Sequence, residues 1–378
     1  MKISIDTRTI EPGDTFIPVV GPNFNGRDFI PEAIRKGARV LDVDLASYAK
    51  KYRKKLKCSV LAITGSAGKT TTKDMMYAML SVAFNVVKTD ENQNNEVGVP
   101  LTILKADVTT DILIVEMGMR GPGQIRELAQ IARPTHAVIT NVGLTHVELL
   151  GSQNAIARAK SEIFLAPLSW ERKNRIAFLN ATSPCYDLMV KRATAAQFQV
   201  LPFGGHDKPE QNLNSCFVVG RQFGLSDDQI REGLARYHPS AHRMVQTPLR
   251  GNGILMDDAY NANPDGVAYA LQQLRRYPGR KIVVLGDMLE LGDFAAEAHQ
   301  QVVGQALDAG VDLMVTVGQH TKGMKYDGDV MWLSHFDSKT ELTALLLDEI
   351  KPGDVILVKG SRGMKMEEIV ESVKEKWA

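Results

Sequence analysis

Cysteine is scarce: Cys58, Cys185 and Cys216 are the only three in 378 residues, widely scattered and in no CxxC spacing. An odd, unclustered set excludes a disulfide framework and a cysteine zinc site, and suits a reducing compartment. An excess of one charge sign is also missing. Lys and Arg number 45 against 44 Asp and Glu, a formal net charge of +1. The molecule as a whole therefore has no pull on nucleic acid or an anionic membrane, and any anion must be held by a local site. No apolar run approaches the roughly 18 residues of a membrane span, and the opening MKISIDTRTIEPGD lacks the apolar core of a signal peptide. No internal repeat or low-complexity segment is visible. These absences predict a cytoplasmic protein with no membrane insertion and no nucleic-acid partner. A hydrophobic fraction of 44% over this length suits two or three globular domains.

Three regions separate on pattern. Residues 1–56 hold short β-like pieces, the turn-rich DTRTIEPGDTFIP and one helical segment near Ile30 to Lys36, and close with the basic run KKYRKKLK. A charge run of this kind reads as a solvated helix face or linker. Residues 57–242 alternate apolar strands (SVLAIT, DILIVEM, HAVITNVG) with helices predicted over Lys69 to Leu80 and Gln124 to Ile131. Short, almost wholly apolar strands separated by helices mark a parallel sheet covered on both faces. Residues 243–378 repeat the texture, with strands GILMDDAY, KIVVLGDM, DLMVTVG and DVILVKG and a final helix from Met366 to Trp377. This reads as a second doubly wound unit.

The sharpest local signal is TGSAGKTT, Thr64 to Thr71, directly after the strand SVLAI and opening a helix. Gly65, Ser66, Ala67 and Gly68 let consecutive N–H groups face one anion, the helix N-terminus adds positive potential, Lys69 reaches terminal phosphates, and a hydroxyl of Thr70 or Thr71 binds Mg²⁺. The loop is a shortened GxxGKTT, with Ile63 where the longer Walker pattern has glycine. Mg²⁺ on a triphosphate also needs a carboxylate, and Glu116 ends a fully apolar strand at the sheet edge where ligands collect. His146 follows another strand end. Lys160 sits fourteen residues further on, in a helical pattern, and by itself reads as a solvated helix lysine.

In this order the motifs resemble the Mur ligase superfamily. DTRTIEPGDTFIPVVGPNFNGRDFIPEAIRKGA, TGSAGKTTTK, TDENQNNEVGVPLTIL, EMGMRGPGQI, TNVGLTHVELLGS, AKSEI, DDAYNANPDG, LGDMLELGDFAAEAH and VKGSRGMKMEEIV span most of the chain. The resemblance implies an α/β, three-domain architecture, with a central P-loop parallel sheet and a C-terminal Rossmann-like domain. It implies an ATP-dependent amide ligase working through an acyl phosphate. The last three segments point to the branch that adds D-alanyl-D-alanine to a UDP-N-acetylmuramoyl-tripeptide in peptidoglycan precursor synthesis. It further implies that Lys69 holds the β- and γ-phosphates and that Thr70 and Glu116 coordinate one Mg²⁺. His146 and Lys160 serve a second metal, with Lys160 carbamylated. Asn212 meets adenine, while Arg243 and Asp258 reach the γ-phosphate and ribose. Asn92, Asn94, Asn95, Asn261, Asn263, Ser361 and Arg362 face substrate, and Thr7 and Arg8 grip the uridine diphosphate. The partners implied are UDP-linked peptide and dipeptide, bound by a monomer.

Four departures stand out. Glu91 replaces a usual glycine, and Lys208 replaces the histidine that stands four positions before the adenine asparagine in the family. The segment before DTR is missing, and so is a block of strands between LNATSP and the Asn212 helix. A Mur-type ligase with another peptide acceptor, or a nucleotide-binding scaffold without turnover, are the competing readings. The scaffold reading expects loss of Lys69, Glu116, His146 or Lys160, and all four are present.

Overall fold

A computed structural model describes residues 2–21, 24–166 and 174–378. The chain divides into two compact units, Met1–Asn141 with Ala157–Tyr237 and Val142–Ile156 with His238–Ala378.

The first unit is built on a six-stranded sheet, all parallel. Its spatial order is Phe198–Phe203, Arg175–Asn180, His136–Ile139, Ser59–Thr64, Ile112–Glu116, Val86–Lys88. Val60 to Ile63 and Leu113 to Val115 are fully buried, because helices cover both faces. One helix layer is Lys69–Leu80 with Lys208–Gln222 and Asp227–Ala235; the other is Leu45–Arg53 with Gly98–Lys105 and Gln124–Ala132. From Ser59–Thr64 the chain runs out to the edge strand, returns beside itself at Ile112–Glu116, then crosses to the other side at His136–Ile139. The carboxyl ends of these three central strands therefore meet at a topological switch point, where doubly wound sheets bind ligands.

The first residues add three short parallel strands, Ile3–Ser4, Thr15–Phe16 and Arg39–Val40, around a small core of Ile10, Phe16 and Ala33. The basic run differs from expectation. Lys50, Lys51, Lys54, Lys55 and Lys57 are exposed, but Arg53 is only 4% exposed. Its guanidinium donates to the Ala132 carbonyl at 2.8 Å and the Leu56 carbonyl at 2.9 Å, and the Tyr52 hydroxyl donates to the Ala106 carbonyl. The helix Leu45–Arg53, capped by Asp44 through the Ser47 N–H, is thus docked on the helices that cover the central sheet. Charge alone misreads it, because a guanidinium satisfies buried carbonyls that an apolar side chain would leave unpaired.

The second unit carries the second doubly wound sheet, in the order Val245–Leu249, Gly253–Asp258, Val355–Lys359, Lys281–Gly286, Leu313–Val317, Trp332–Phe336. Only Val245–Leu249 runs antiparallel, as an edge. Two apolar clusters lie on its faces, one under Pro264–Leu274 and Ala295–Asp308, the other under Lys339–Glu349 and Glu367–Trp377. None of the three cysteines forms a disulfide among the described residues, and burial pushes the Cys216 thiol up to about 12. Among the described residues no helix is long and apolar enough to cross a membrane.

Arg53→Ala should lower the free energy of unfolding by about 2–4 kcal/mol, since two buried carbonyls lose their donor. Lys50→Ala, on the same helix but exposed, should change it by less than about 0.5 kcal/mol. Urea titration of both variants checks the pair.

Candidate nucleotide and metal site

The loop between Ser59–Thr64 and Lys69–Leu80 is shaped by two glycines. A Cβ on Gly65 would lie 1.8 Å from Thr140 Oγ1, so no side chain fits there. Gly68 has φ +78°, the left-handed conformation that glycine adopts without strain, and it caps the helix. The Thr140 hydroxyl donates to the Ala67 carbonyl at 2.6 Å. Asn141 accepts the Ser66 N–H on its carbonyl and the Ala67 N–H on its side chain. The first intrahelical bond runs from the Thr72 N–H to the Gly68 carbonyl, so the dipoles of the first turn point out of the N-terminus toward an anion. The Lys69 ammonium lies back over the loop, donating to the Gly65 carbonyl at 2.7 Å.

Thr70 and Glu116 meet as expected. The Thr70 hydroxyl donates to Glu116 Oε1 at 3.2 Å, and the two residues are 3% and 1% exposed. Asn94 donates to the same oxygen at 2.8 Å. Glu116 Oε2 has no hydrogen-bond partner among the described residues and faces Lys73 Nζ at 3.7 Å. A buried carboxylate with a spare oxygen beside a threonine hydroxyl is a hard donor set suited to Mg²⁺, which takes one or two protein oxygens and completes its shell with phosphate and water. Among the described residues no group of three or more His, Cys, Asp or Glu could hold a metal ion.

Lys73 was not singled out in the sequence, yet it organises this corner. It is fully buried, lies 3.6 Å from Asp74, and donates to the Glu91 carbonyl at 2.7 Å. Glu91 has φ +39°, a left-handed conformation that favours glycine, so the departure noted at this position is paid in backbone strain and offset by the lysine. The only sequence signal for Lys73 is its place one helical turn after Lys69, on the face that turns inward. Of the other asparagines in this segment, Asn95 accepts the Val97 and Gly98 N–H groups in the turn leading into the helix Gly98–Lys105, and Asn92 is exposed. Asn212 stands at the mouth of the loop. Its Oδ1 accepts from the Thr72 hydroxyl at 3.3 Å and would lie 3.3 Å from a Cβ on Gly68.

Lys160 corrects its reading as a solvated lysine: it is 2% exposed. Burial, and then the nearby positive charge of Lys69, hold its amine well below the usual lysine range. Two residues on, Glu162 is also buried and accepts the Gly123 and Arg126 N–H groups, capping the helix Gln124–Ala132 from outside. That cap ties the GMRGPGQI loop to the segment carrying Lys160.

His146 belongs to the second unit. Its Nδ1 lies 2.8 Å from Glu290 Oε2, out of line for a hydrogen bond. Asp258 pairs with the buried ammonium of Lys359, which also donates to the Asn261 carbonyl. The Arg243 guanidinium lies over the Tyr260 ring at 4.0 Å, and that of Arg362 approaches the same ring at 5.7 Å. The side chains of Asn263 and Ser361 are engaged in framing the loops. Asn263 caps the helix Pro264–Leu274, and the Ser361 hydroxyl bridges the Leu289 N–H and the Ala262 carbonyl. Thr7 is buried with its hydroxyl on Glu32, whereas Arg8 projects into solvent with Nε and Nη2 donating to Asp6. Those bonds from Arg8 hold the Asp6 carboxyl down to about 2.

The Mur ligase middle domain matches residues 63–237, the Mur ligase glutamate ligase domain residues 242–362, and the Mur ligase family catalytic domain residues 2–93. The UDP-N-acetylmuramoyl-tripeptide–D-alanyl-D-alanine ligase of Escherichia coli (strain K12) is 31% identical, over 99% of this chain and 93% of that one. The enzyme of the same name from Bacillus subtilis (strain 168) is 30% identical with the same coverage. Its alignment runs over 433 positions against 378 residues here, so at least 55 positions have no counterpart in this chain. The crystal structure of MurF ligase from Thermotoga maritima in complex with ADP has a TM-score of 0.85 and 28% identity, covering 99% of this chain and 97% of that one.

Gly65→Ala should weaken ADP binding by at least about 100-fold, because the loop must leave Thr140 to admit the methyl group. Gly121→Ala, where nothing lies within 4 Å of the added Cβ, should leave it unchanged. Calorimetric titration with ADP·Mg²⁺ distinguishes the two.

Proposed function

Because the chain belongs to the Mur ligase family, we propose that it is an ATP-dependent, ADP-forming ligase adding D-alanyl-D-alanine to a UDP-N-acetylmuramoyl-tripeptide, as a cytoplasmic monomer. The names of its relatives support the substrates. The observation that carries the chemistry is the Thr70 hydroxyl and the buried Glu116 carboxylate meeting at 3.2 Å beside a glycine loop at a helix N-terminus. A carboxylate oxygen of the tripeptide attacks the γ-phosphorus and ADP leaves. The dipeptide amine then attacks the acyl carbon, phosphate departs, and the nitrogen loses its proton. The loop amides and Lys69 bind and orient the phosphates, and their positive charge matches the charge developing on the transferred group. Bound Mg²⁺ supplies Lewis-acid stabilisation of phosphate oxygens, with Thr70 and Glu116 as its protein ligands and Asn94 orienting the carboxylate. Arg243 is assigned to the γ-phosphate, Asp258 to the ribose and Asn212 to adenine on the family resemblance. Roles divide along the chain as 1–56 for the UDP substrate, 57–242 for ATP and 243–378 for the ligase domain.

Lys160 is proposed to react as its neutral amine with CO₂, losing a proton to give a carbamate. Its burial and the neighbouring Lys69 support this: both disfavour the ammonium, and an anion in its place exchanges a repulsion for an attraction. The carbamate oxygens then suit a second Mg²⁺, and His146 is assigned to that ion on the family resemblance alone.

Phosphate release should require ATP, the UDP-linked tripeptide and D-alanyl-D-alanine together. Release with another dipeptide but not with this one overturns the acceptor, and release with neither points to a scaffold. Lys69→Ala should lower turnover by at least about 1000-fold while the melting temperature without nucleotide stays put. Lys160→Ala should be nearly inactive and regain part of its rate with added short carboxylic acids, which can fill the vacated anionic site. A rate equal to the parent's returns Lys160 to a structural role.

A further inference from the structure

Arg243 sits in a short segment whose backbone is strained on both sides. His242 has φ +59° and Met244 φ +56°, left-handed conformations that side chains with a Cβ seldom adopt. Such strain persists only where the surroundings over-determine it. The surroundings are the residues Asp257 to Tyr260, which hold the segment nearly residue by residue. His242 Nδ1–H donates to Asp257 Oδ2 at 2.8 Å, and the His242 carbonyl accepts the Tyr260 N–H at 3.0 Å. The Met244 N–H donates to Asp258 Oδ1 at 3.2 Å, and between them the Arg243 guanidinium lies over the Tyr260 ring at 4.0 Å. Asp257 is 1% exposed, is fixed by the Ala259 N–H, and has Lys374 Nζ 3.8 Å from the same oxygen that meets His242. The strand Val245–Leu249 begins immediately afterwards, with Val245 paired to Asp257, so the clamp stands at the end of a hairpin and cannot drift along it.

We propose that His242 and Asp257 are positioning residues, a hydrogen-bonded pair of a partly exposed imidazole and a buried carboxylate that holds the left-handed turn and so aims Arg243. This rests on the assignment of Arg243 to the γ-phosphate. The pair touches no substrate. Its contribution is to fix the backbone from which the Arg243 side chain departs, and a displacement of about 1 Å at a reacting group can cost as much as 100-fold in rate.

The test separates backbone from side chain. His242→Gly keeps the left-handed backbone at no strain and removes only the bond to Asp257. His242→Asn tolerates the same backbone and presents an amide N–H where Nδ1–H was. Arg243→Ala is the reference. Affinities for ATP and ADP, with Mg²⁺ and without the peptide substrates, are measured by calorimetry alongside kcat. ADP lacks the γ-phosphate, so its affinity reports the intact loop. The expected result is that His242→Gly loses roughly 10-fold in ATP affinity relative to ADP and 10- to 100-fold in kcat. ADP binding should stay unchanged, and His242→Asn should recover most of both losses. If His242→Gly matches the parent while Arg243→Ala has lost the preference for ATP, the clamp proposal fails and the phosphate assignment stands. If Arg243→Ala keeps the preference, the assignment fails and takes the clamp's purpose with it.

Discussion

The first unit depends on a close approach between two strand ends. Thr140 Oγ1 occupies the space where residue 65 would carry a Cβ, 1.8 Å away. With glycine there, Ser59–Thr64 and His136–Ile139 run side by side to their carboxyl ends, and Thr140 and Asn141 take hold of the loop from outside. The loop is then closed by protein hydrogen bonds before any ligand arrives. Gly68 turns the chain into the helix, and the helix presents Thr70 to Glu116, whose strand lies on the other flank of Ser59–Thr64. Each step is geometric. A bulkier residue 65 would move the loop, and the hydroxyl would leave the carboxylate.

Each unit keeps ionisable groups where water cannot reach them. Lys73, Glu116, Asp74 and Lys160 are all at most 5% exposed in the first unit, and Asp257 and Lys359 at most 3% in the second. Removing a charge from water costs several kcal/mol, and a well-packed apolar group of the same size would often stabilise the fold more. These groups are therefore poor instruments of stability. Their value lies in rigidity, with their solvation replaced by fixed partners before a reaction begins. Lys73 faces two carboxylates and ties down the strained Glu91 turn, while Lys359 holds Asp258 and the Asn261 backbone.

Much of this was legible in residue pattern. The apolar strands Ser59–Thr64, Ile112–Glu116, Lys281–Gly286 and Val355–Lys359 could be read directly, because a strand buried on both faces has no polar alternation to obscure it. The edge strands Val86–Lys88, Val245–Leu249 and Trp332–Phe336 were not legible. They are short and only partly buried, and the last two mix polar with apolar residues. Arg53 misled for a related reason: a basic run predicts solvent, and nothing local reveals the two carbonyls that this one guanidinium satisfies.

The order of residues alone determined the phosphate loop, since strand, glycines, lysine and threonine are contiguous and their chemistry is local. It also determined the two doubly wound sheets, through the repeated alternation of apolar strand and helix. Tertiary structure decided everything that joins distant segments. It buried Lys160, which by helical pattern faces water, and set Lys69 close enough to repel its proton. It chose Lys73 over the other lysines as the partner of Glu116, and set His242 against Asp257 across a hairpin. A side chain's charge state and direction follow from the low-dielectric surroundings and fixed partners that packing supplies, and these come from residues tens to hundreds of positions away.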